Sequence, residues 1–254
     1  MARGVMRGWH QADHRFGQPG RKDWSDKLTV ISPEEDRKRN IEVMGKDLGE
    51  QYSELWQIAA HLHSKWAEYV ELFGTKESRI DLLNETAGHL FAIIQDQMWD
   101  DILMHIARLT DPPATGSKRN LSLQNLPELA DSKLKPDLAK MIGEVLNKTN
   151  FCRDWRNRRV AHNDLLLALD ATPVLLQPGS RDDVAQALKA INETLSLVSE
   201  FYTDSESGLD AYSPPGGALD LLRIIHYGLK AQTDIDARFE NGTQTPEDER
   251  NPDI

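Results

Sequence analysis

The sequence predicts an all-α protein, an antiparallel helical bundle with extra terminal segments, and three observations carry that expectation. Apolar residues recur at three- and four-residue steps over long stretches, the period of a helix with one buried face. The longest such stripe runs Leu83, Ala87, Leu90, Ile94, Met98, Ile102, Ile106 and Leu109, and it stops at Asp111-Pro112-Pro113, where proline cannot continue the backbone ladder. Strand-like text is confined to residues 28–31 and 172–176, enough for one minor short β pair at most.

The elements follow in order. Residues 1–31, rich in Gly, Arg and His, form an irregular N-terminal arm, with Trp9 and Trp24 suited to docking part of it. Ser32-Pro33-Glu34-Glu35 is a helix start: a serine N-cap, proline in the first turn, and glutamate three residues after the cap. Leu55, Ile58, Leu62, Trp66, Tyr69 and Phe73 then share a face, and Gly74 is a stop signal. After the 83–109 stripe comes a polar loop through Asn120, a short helix near 122–131, and a long helix over about 135–162, its buried side marked by Leu138, Ile142, Val145, Cys152 and Trp155. Leu165 to Leu169 is too short and uniform to assign by period. Ser180 caps a helix whose Val184, Leu188, Ile191, Leu195, Val198 and Tyr202 alternate four and three, a spacing that equally suits a dimer seam. The bundle thus spans 32–204, a Ser/Gly/Pro loop and C-terminal helix fill 205–240, and 241–254 has the composition of a disordered tail.

Composition narrows the function. No apolar run approaches the roughly 18 residues of a bilayer span, and the basic N-terminus lacks a signal-peptide core. Cys152 is the only cysteine, which forbids an internal disulfide and makes the cytoplasm the expected compartment. The net charge of -11 argues against a general nucleic-acid coat. Locally the charge is different: residues 151–162 hold four arginines against one aspartate, a net +3, whereas 233–254 holds seven acids against two arginines, a net -5.

That basic segment ends Arg156-Asn-Arg-Arg-Val-Ala-His162. On a straight helix Arg156 and His162 lie about 120° apart, while Trp155 and His162, seven apart, nearly share a face. His162 is then expected to continue the buried stripe. A histidine there is either a packed core residue or an acid–base group, since its ordinary pKa is near neutrality. Arginines beside it tilt the reading toward phosphate, which their planar fork recognises. Together they suit metal-free RNA cleavage: a neutral imidazole takes the ribose 2′-OH proton and an arginine stabilises charge on the phosphate oxygens.

The pattern Arg156, polar Asn157, four residues, His162 near the end of a long helix resembles the HEPN domain. The text WRNRRVAHND, with HIARLTDPP at 105–113 and NLSLQNL at 120–126, is similar to its abortive-infection, AbiU-like branch, over roughly residues 50–200. The resemblance implies a homodimer in which the motifs of two protomers meet in one cleft. It also implies a metal-independent endoribonuclease in active members, often of toxin–antitoxin or phage-defence systems, needing no cofactor. It assigns Arg156 to the scissile phosphate, Asn157 to its support, and His162 to acid or base; Arg153, Arg158 and Arg159 are the expected RNA-binding arginines. The partners it implies are RNA, a second copy and an antitoxin protein, with no membrane.

Two other readings stand beside this one. A non-catalytic helical scaffold could keep the motif for folding, or to bind RNA, nucleotide or a protein. A metal-dependent hydrolase could use Asp101 and His105, which share a helix face, although no second ligand pair follows. His61 and His63, two apart, point in different directions on a helix and make a poor metal pair.

Overall fold

The structure, a computed structural model, describes residues 32–162, 164–169, 171, 174–204, 209 and 216–249. The expected arm (1–31), with its strand at 28–31, lies outside the described residues, as do most of the 205–217 loop and the last residues of the tail.

The chain is an all-α bundle. Helix α1 (Pro33–Met44) starts on the expected capping box, with Ser32 and Glu35 each accepting from the other's backbone. It was not legible that α1 ends at Gly45 and that α2 (Lys46–Phe73) begins one residue later. Gly45 has φ +81°, a left-handed conformation that glycine adopts without a Cβ clash. The chain reverses there, and Gly49 lies so close to α1 that a Cβ on it would sit 2.6 Å from the Asn40 oxygen. Buried Asn40 donates to Ser53 across the same seam.

Helix α3 (Glu77–Leu109) runs back along α2, tied to it by the Lys65–Asp101 and Arg79–Glu71 ion pairs. It ends before the two prolines as expected, but it is not one straight stripe. The backbone leaves the helical region at Ala87 (φ -158°, ψ 57°). That kink shifts the register, so Phe91 is buried and Leu90 faces outward. The β pair lies in the polar loop after α3, where β1 (Ala114–Thr115) pairs antiparallel with β2 (Lys118–Arg119). Residues 174–176 carry no strand.

A 3₁₀ turn (Leu123–Asn125) leads into α4 (Leu126–Leu129). The expected 135–162 helix is three pieces: α5 (Lys135–Lys148), α6 (Asn150–Trp155) and a π turn over Arg156–Val160. The break falls at buried Thr149, whose hydroxyl donates to the Val145 carbonyl. After α7 (Leu165–Ala168) come α8 (Arg181–Thr203) and α9 (Ala218–Glu240). Helix α8 packs on α5 and α2, and α9 on α2 and α3. The core joins Leu48, Leu55 and Leu62 of α2 to Ile102, Leu103 and Ile106 of α3 and to Leu188, Ile191 and Leu195 of α8. Residues 241–249 continue in turns beside the end of α9, where Arg238 pairs with Asp248. Among the described residues no helix is long and apolar enough to cross a membrane.

Helix α8 has a capping box as tight as that of α1. The Ser180 hydroxyl and amide donate to the Asp183 carboxylate at 2.6 and 2.8 Å, and these bonds hold the carboxyl below its ordinary pKa. A carboxyl depressed in the folded state stabilises above its unfolded value, near 3.9, and loses that effect as pH falls through its folded value. Ser180→Ala should lower stability at neutral pH by about 1 kcal/mol. The difference from wild type should shrink as pH falls below the unfolded carboxyl value, about 3.9, in chemical unfolding curves; an acid-independent gap would deny Asp183 its part.

Candidate active site

Three stretches distant in sequence meet at the carbonyl end of α3. Its last carbonyls have no helical partner and must be satisfied from elsewhere. Buried Ser122 donates to the Asp111 carbonyl at 2.5 Å, with the Leu109 carbonyl at 3.3 Å. The Thr110 carbonyl accepts twice, from Gln124 Nε2 at 2.8 Å and from Arg153 Nη2 at 2.6 Å. The buried Arg153 Nε has no partner among the described residues. An arginine is well placed at a helix C-terminus, where the aligned peptide dipoles leave partial negative charge.

Arg156 lies one turn beyond Arg153. Its Nη1 donates to both Asp111 oxygens, at 2.5 and 2.7 Å, and its Nε donates to Asn157 Oδ1 at 3.0 Å. The Arg156 and Asp111 side chains are each only 20% exposed, so solvent screens this pair weakly. Asn157 itself is exposed.

The π turn then decides where His162 goes. The Ala161 amide donates to the Arg156 carbonyl at 2.8 Å, a five-residue step in place of the α-helical four. The turn is wider and each residue advances by less than 100°, so the straight-helix projection of the 155–162 stripe fails. His162 falls in a bend just past the turn and is exposed, not on the buried face. The Asp164 amide closes the bend onto the Arg158 carbonyl, and its carboxylate caps α7.

The other arginines differ in role. Arg158 donates to the Val174 and Leu175 carbonyls and pairs with Asp154, strapping the 174–177 segment onto the turn. Asp154 accepts from the Gln177 amide, and Trp155 Nε1 donates to the Gln177 carbonyl. Arg159 is exposed and lies over the Trp155 ring, 5.1 Å from its centre. Trp155 meets Trp99 edge-on, and Trp99 meets Tyr69, so an aromatic row leads from the core to Arg159. Burial pushes the Asp100 carboxyl above its ordinary range; Arg159 opposes that shift and Asp96 adds to it. Carboxylates from α3 and its C-terminal turn, Asp100 and Asp111, therefore face the net +3 segment.

Sequence reasoning missed Asp111 as part of the site, reading it only as a helix stop. The signal was an acid directly before two prolines in the same quoted stretch as the Thr110 turn. Burial pushes the Cys152 thiol up to about 12, so it is no nucleophile. Asp101 and His105 do share a face, with Nδ1 3.2 Å from Oδ1, but Lys65 also pairs with that carboxylate. Among the described residues no group of three or more His, Cys, Asp or Glu side chains could hold a metal ion.

A helical bundle with an Arg-polar-x(4)-His turn closing its long central helices defines a HEPN-type domain. The chain belongs to the AbiU2 family of that class: the family model HEPN_AbiU2 matches residues 45–221. No curated protein and no solved structure matches the chain significantly.

Arg153 ties α6 to α3, so Arg153→Ala should destabilise the fold. It leaves the doubly bonded Thr110 carbonyl with one donor and removes a charge-assisted bond, about 2 kcal/mol. Calorimetry should show the melting temperature falling by several degrees; an unchanged melting point would mean that the bond is dispensable.

Proposed function

We propose that the protein is a metal-independent endoribonuclease of toxin or phage-defence type, acting in the cytoplasm. The observation that carries this reading is the contrast between a fixed Arg156, ion-paired to Asp111 at the start of the π turn, and an exposed His162 just past that turn. The guanidinium faces the scissile phosphate. Neutral His162 takes the proton of the ribose 2′-OH, and that oxygen attacks the adjacent phosphorus. The bond to the 5′-oxygen of the next nucleotide breaks, and this oxygen takes a proton from solvent water and leaves as a hydroxyl, while His162 returns its proton to solvent. The products are a 2′,3′-cyclic phosphate and a 5′-hydroxyl end. Asn157 supports Arg156, and Arg159, over Trp155, meets the flanking RNA; Arg153 and Arg158 shape the wall behind it.

The chain acts as a homodimer with the two 156–162 segments facing each other, and in a toxin role an antitoxin protein is its partner. Leu165, Leu166, Leu169, Val174 and Leu175 support this arrangement. They flank the motif and are 54–79% exposed, and a second copy covers such a patch as an isologous surface.

One observation favours the non-catalytic scaffold instead. Arg153, Arg156 and Arg158 all donate to this chain's own carbonyls or carboxylates, as a purely structural segment would require.

His162→Ala should abolish cleavage of RNA at unchanged melting temperature, since general acid–base catalysis contributes about 10²–10⁴-fold. Arg156→Lys should restore Arg156→Ala only in part. His61→Ala should cut normally, and cleavage should persist in EDTA. A scaffold gives the opposite result, no activity to lose in any of these variants.

Light scattering at micromolar concentration should report a dimer, and Leu165→Glu with Leu169→Glu should yield a folded monomer. A wild-type monomer would count against the paired site.

A further inference from the structure

We propose that Asp111 is the positioning residue for Arg156, holding the guanidinium from behind so that an RNA phosphate enters on its Nε–Nη2 edge in the place of the Asn157 amide oxygen. This inference rests on the ribonuclease reading of Arg156 and His162. A guanidinium presents five N–H donors in a rigid fork, and a phosphate is gripped best by two parallel bonds from adjacent nitrogens. In Arg156 the Nη1 donors are taken by both Asp111 oxygens, and Nε is taken by Asn157. Nη2 has no bond among the described residues. The only edge that a phosphate can occupy without breaking the ion pair is therefore Nε–Nη2, and the group in its way is a neutral amide.

The two obstacles are unequal. Asp111 is part-buried, charged, and fixed at its backbone by Ser122. Its predecessor Thr110 is fixed by Gln124 and Arg153, and Pro112 follows it, which restricts the Asp111 backbone further. Asn157 is exposed and makes one bond of 3.0 Å through its oxygen. A dianionic competitor is not needed to move it. The cost of this design is charge: Asp111 offsets much of the attraction that Arg156 alone would exert, so the arrangement favours orientation over affinity. Orientation is what a developing charge on phosphate oxygens rewards, because a donor that is already aimed needs no reorganisation during the reaction.

The test uses the full-length protein, a mixed-sequence single-stranded RNA oligonucleotide, anisotropy for binding and gel assays for cleavage, with melting curves for every variant. Asp111→Ala should lower kcat by about 10²-fold, near the effect of Arg156→Ala. Asp111→Asn keeps an oxygen for Nη1 and should recover most of that loss. Asp111→Ala in an Arg156→Ala background should cost nothing further, since residues acting through one another are not additive. Asn157→Asp places a tethered anion on the Nε–Nη2 edge and should weaken RNA binding at least about 10-fold, as one lost charge contact does.

Each of the following outcomes overturns the proposal. Tighter RNA binding by both Asp111→Ala and Asp111→Asn would show that Asp111 competes with phosphate. Unchanged kcat in a less stable Asp111→Ala protein would show a structural tie only. Unweakened binding by Asn157→Asp would place the phosphate elsewhere. Full activity of Arg156→Ala, or a wild-type protein that neither binds nor cuts RNA, would overturn the ribonuclease reading together with it; loss in Arg156→Ala with a silent Asp111→Ala overturns this inference alone.

Discussion

The rest of the site depends on one constraint, the unpaired carbonyls at the end of α3. A 33-residue helix that stops at two prolines must satisfy them. Thr110 and the Asp111 amide meet the Ile106, Ala107 and Arg108 carbonyls, and the next carbonyls, of Leu109, Thr110 and Asp111, are met from two other places in the chain, Ser122 and Gln124 on one side and Arg153 on the other. Satisfying the carbonyls fixes α6 against α3, and this delivers Arg156 to Asp111. The site is thus a by-product of ending a helix inside a protein.

On the proposed reading, function and stability draw on the same side chains, and the two demands pull in different directions. Arginines that anchor backbone carbonyls cannot also reach outward for RNA. The segment reads as basic in sequence, yet Asp111 and Asp100 face it in space, and its own Asp154 pairs with Arg158. What remains for a ligand is one guanidinium edge, an exposed imidazole, and Arg159 above an indole. On the proposed reading, such a surface gives weak, directional recognition.

The helices were legible where local rules decide them. The Ser32–Glu35 capping box, the Ser180 cap and the stop before Pro112 follow from residues within one turn of each boundary. The breaks at Gly45, Ala87 and Thr149 were not, because apolar period survives a kink and glycine or alanine is common in helices. His162 shows the same failure at the site. A projection at 100° per residue buries it, and the π turn carries it outward. Arg156 and His162 could be singled out from sequence by residue type and resemblance. Asp111 could not, since its partner lies 45 positions away and only the fold brings them together.

The π turn has a consequence for how this chain can change over generations. A five-residue step is an α-helix carrying one residue more than its neighbours need. The position of His162 relative to Arg156 is therefore written in chain length as well as in side chains. Point substitutions within Asn157 to Ala161 preserve that spacing, whereas loss of a single codon there returns the turn to α geometry and swings the imidazole toward the core. Lineages that diverge by substitution can keep this spacing, and those that diverge by deletion in these five codons keep only the bundle.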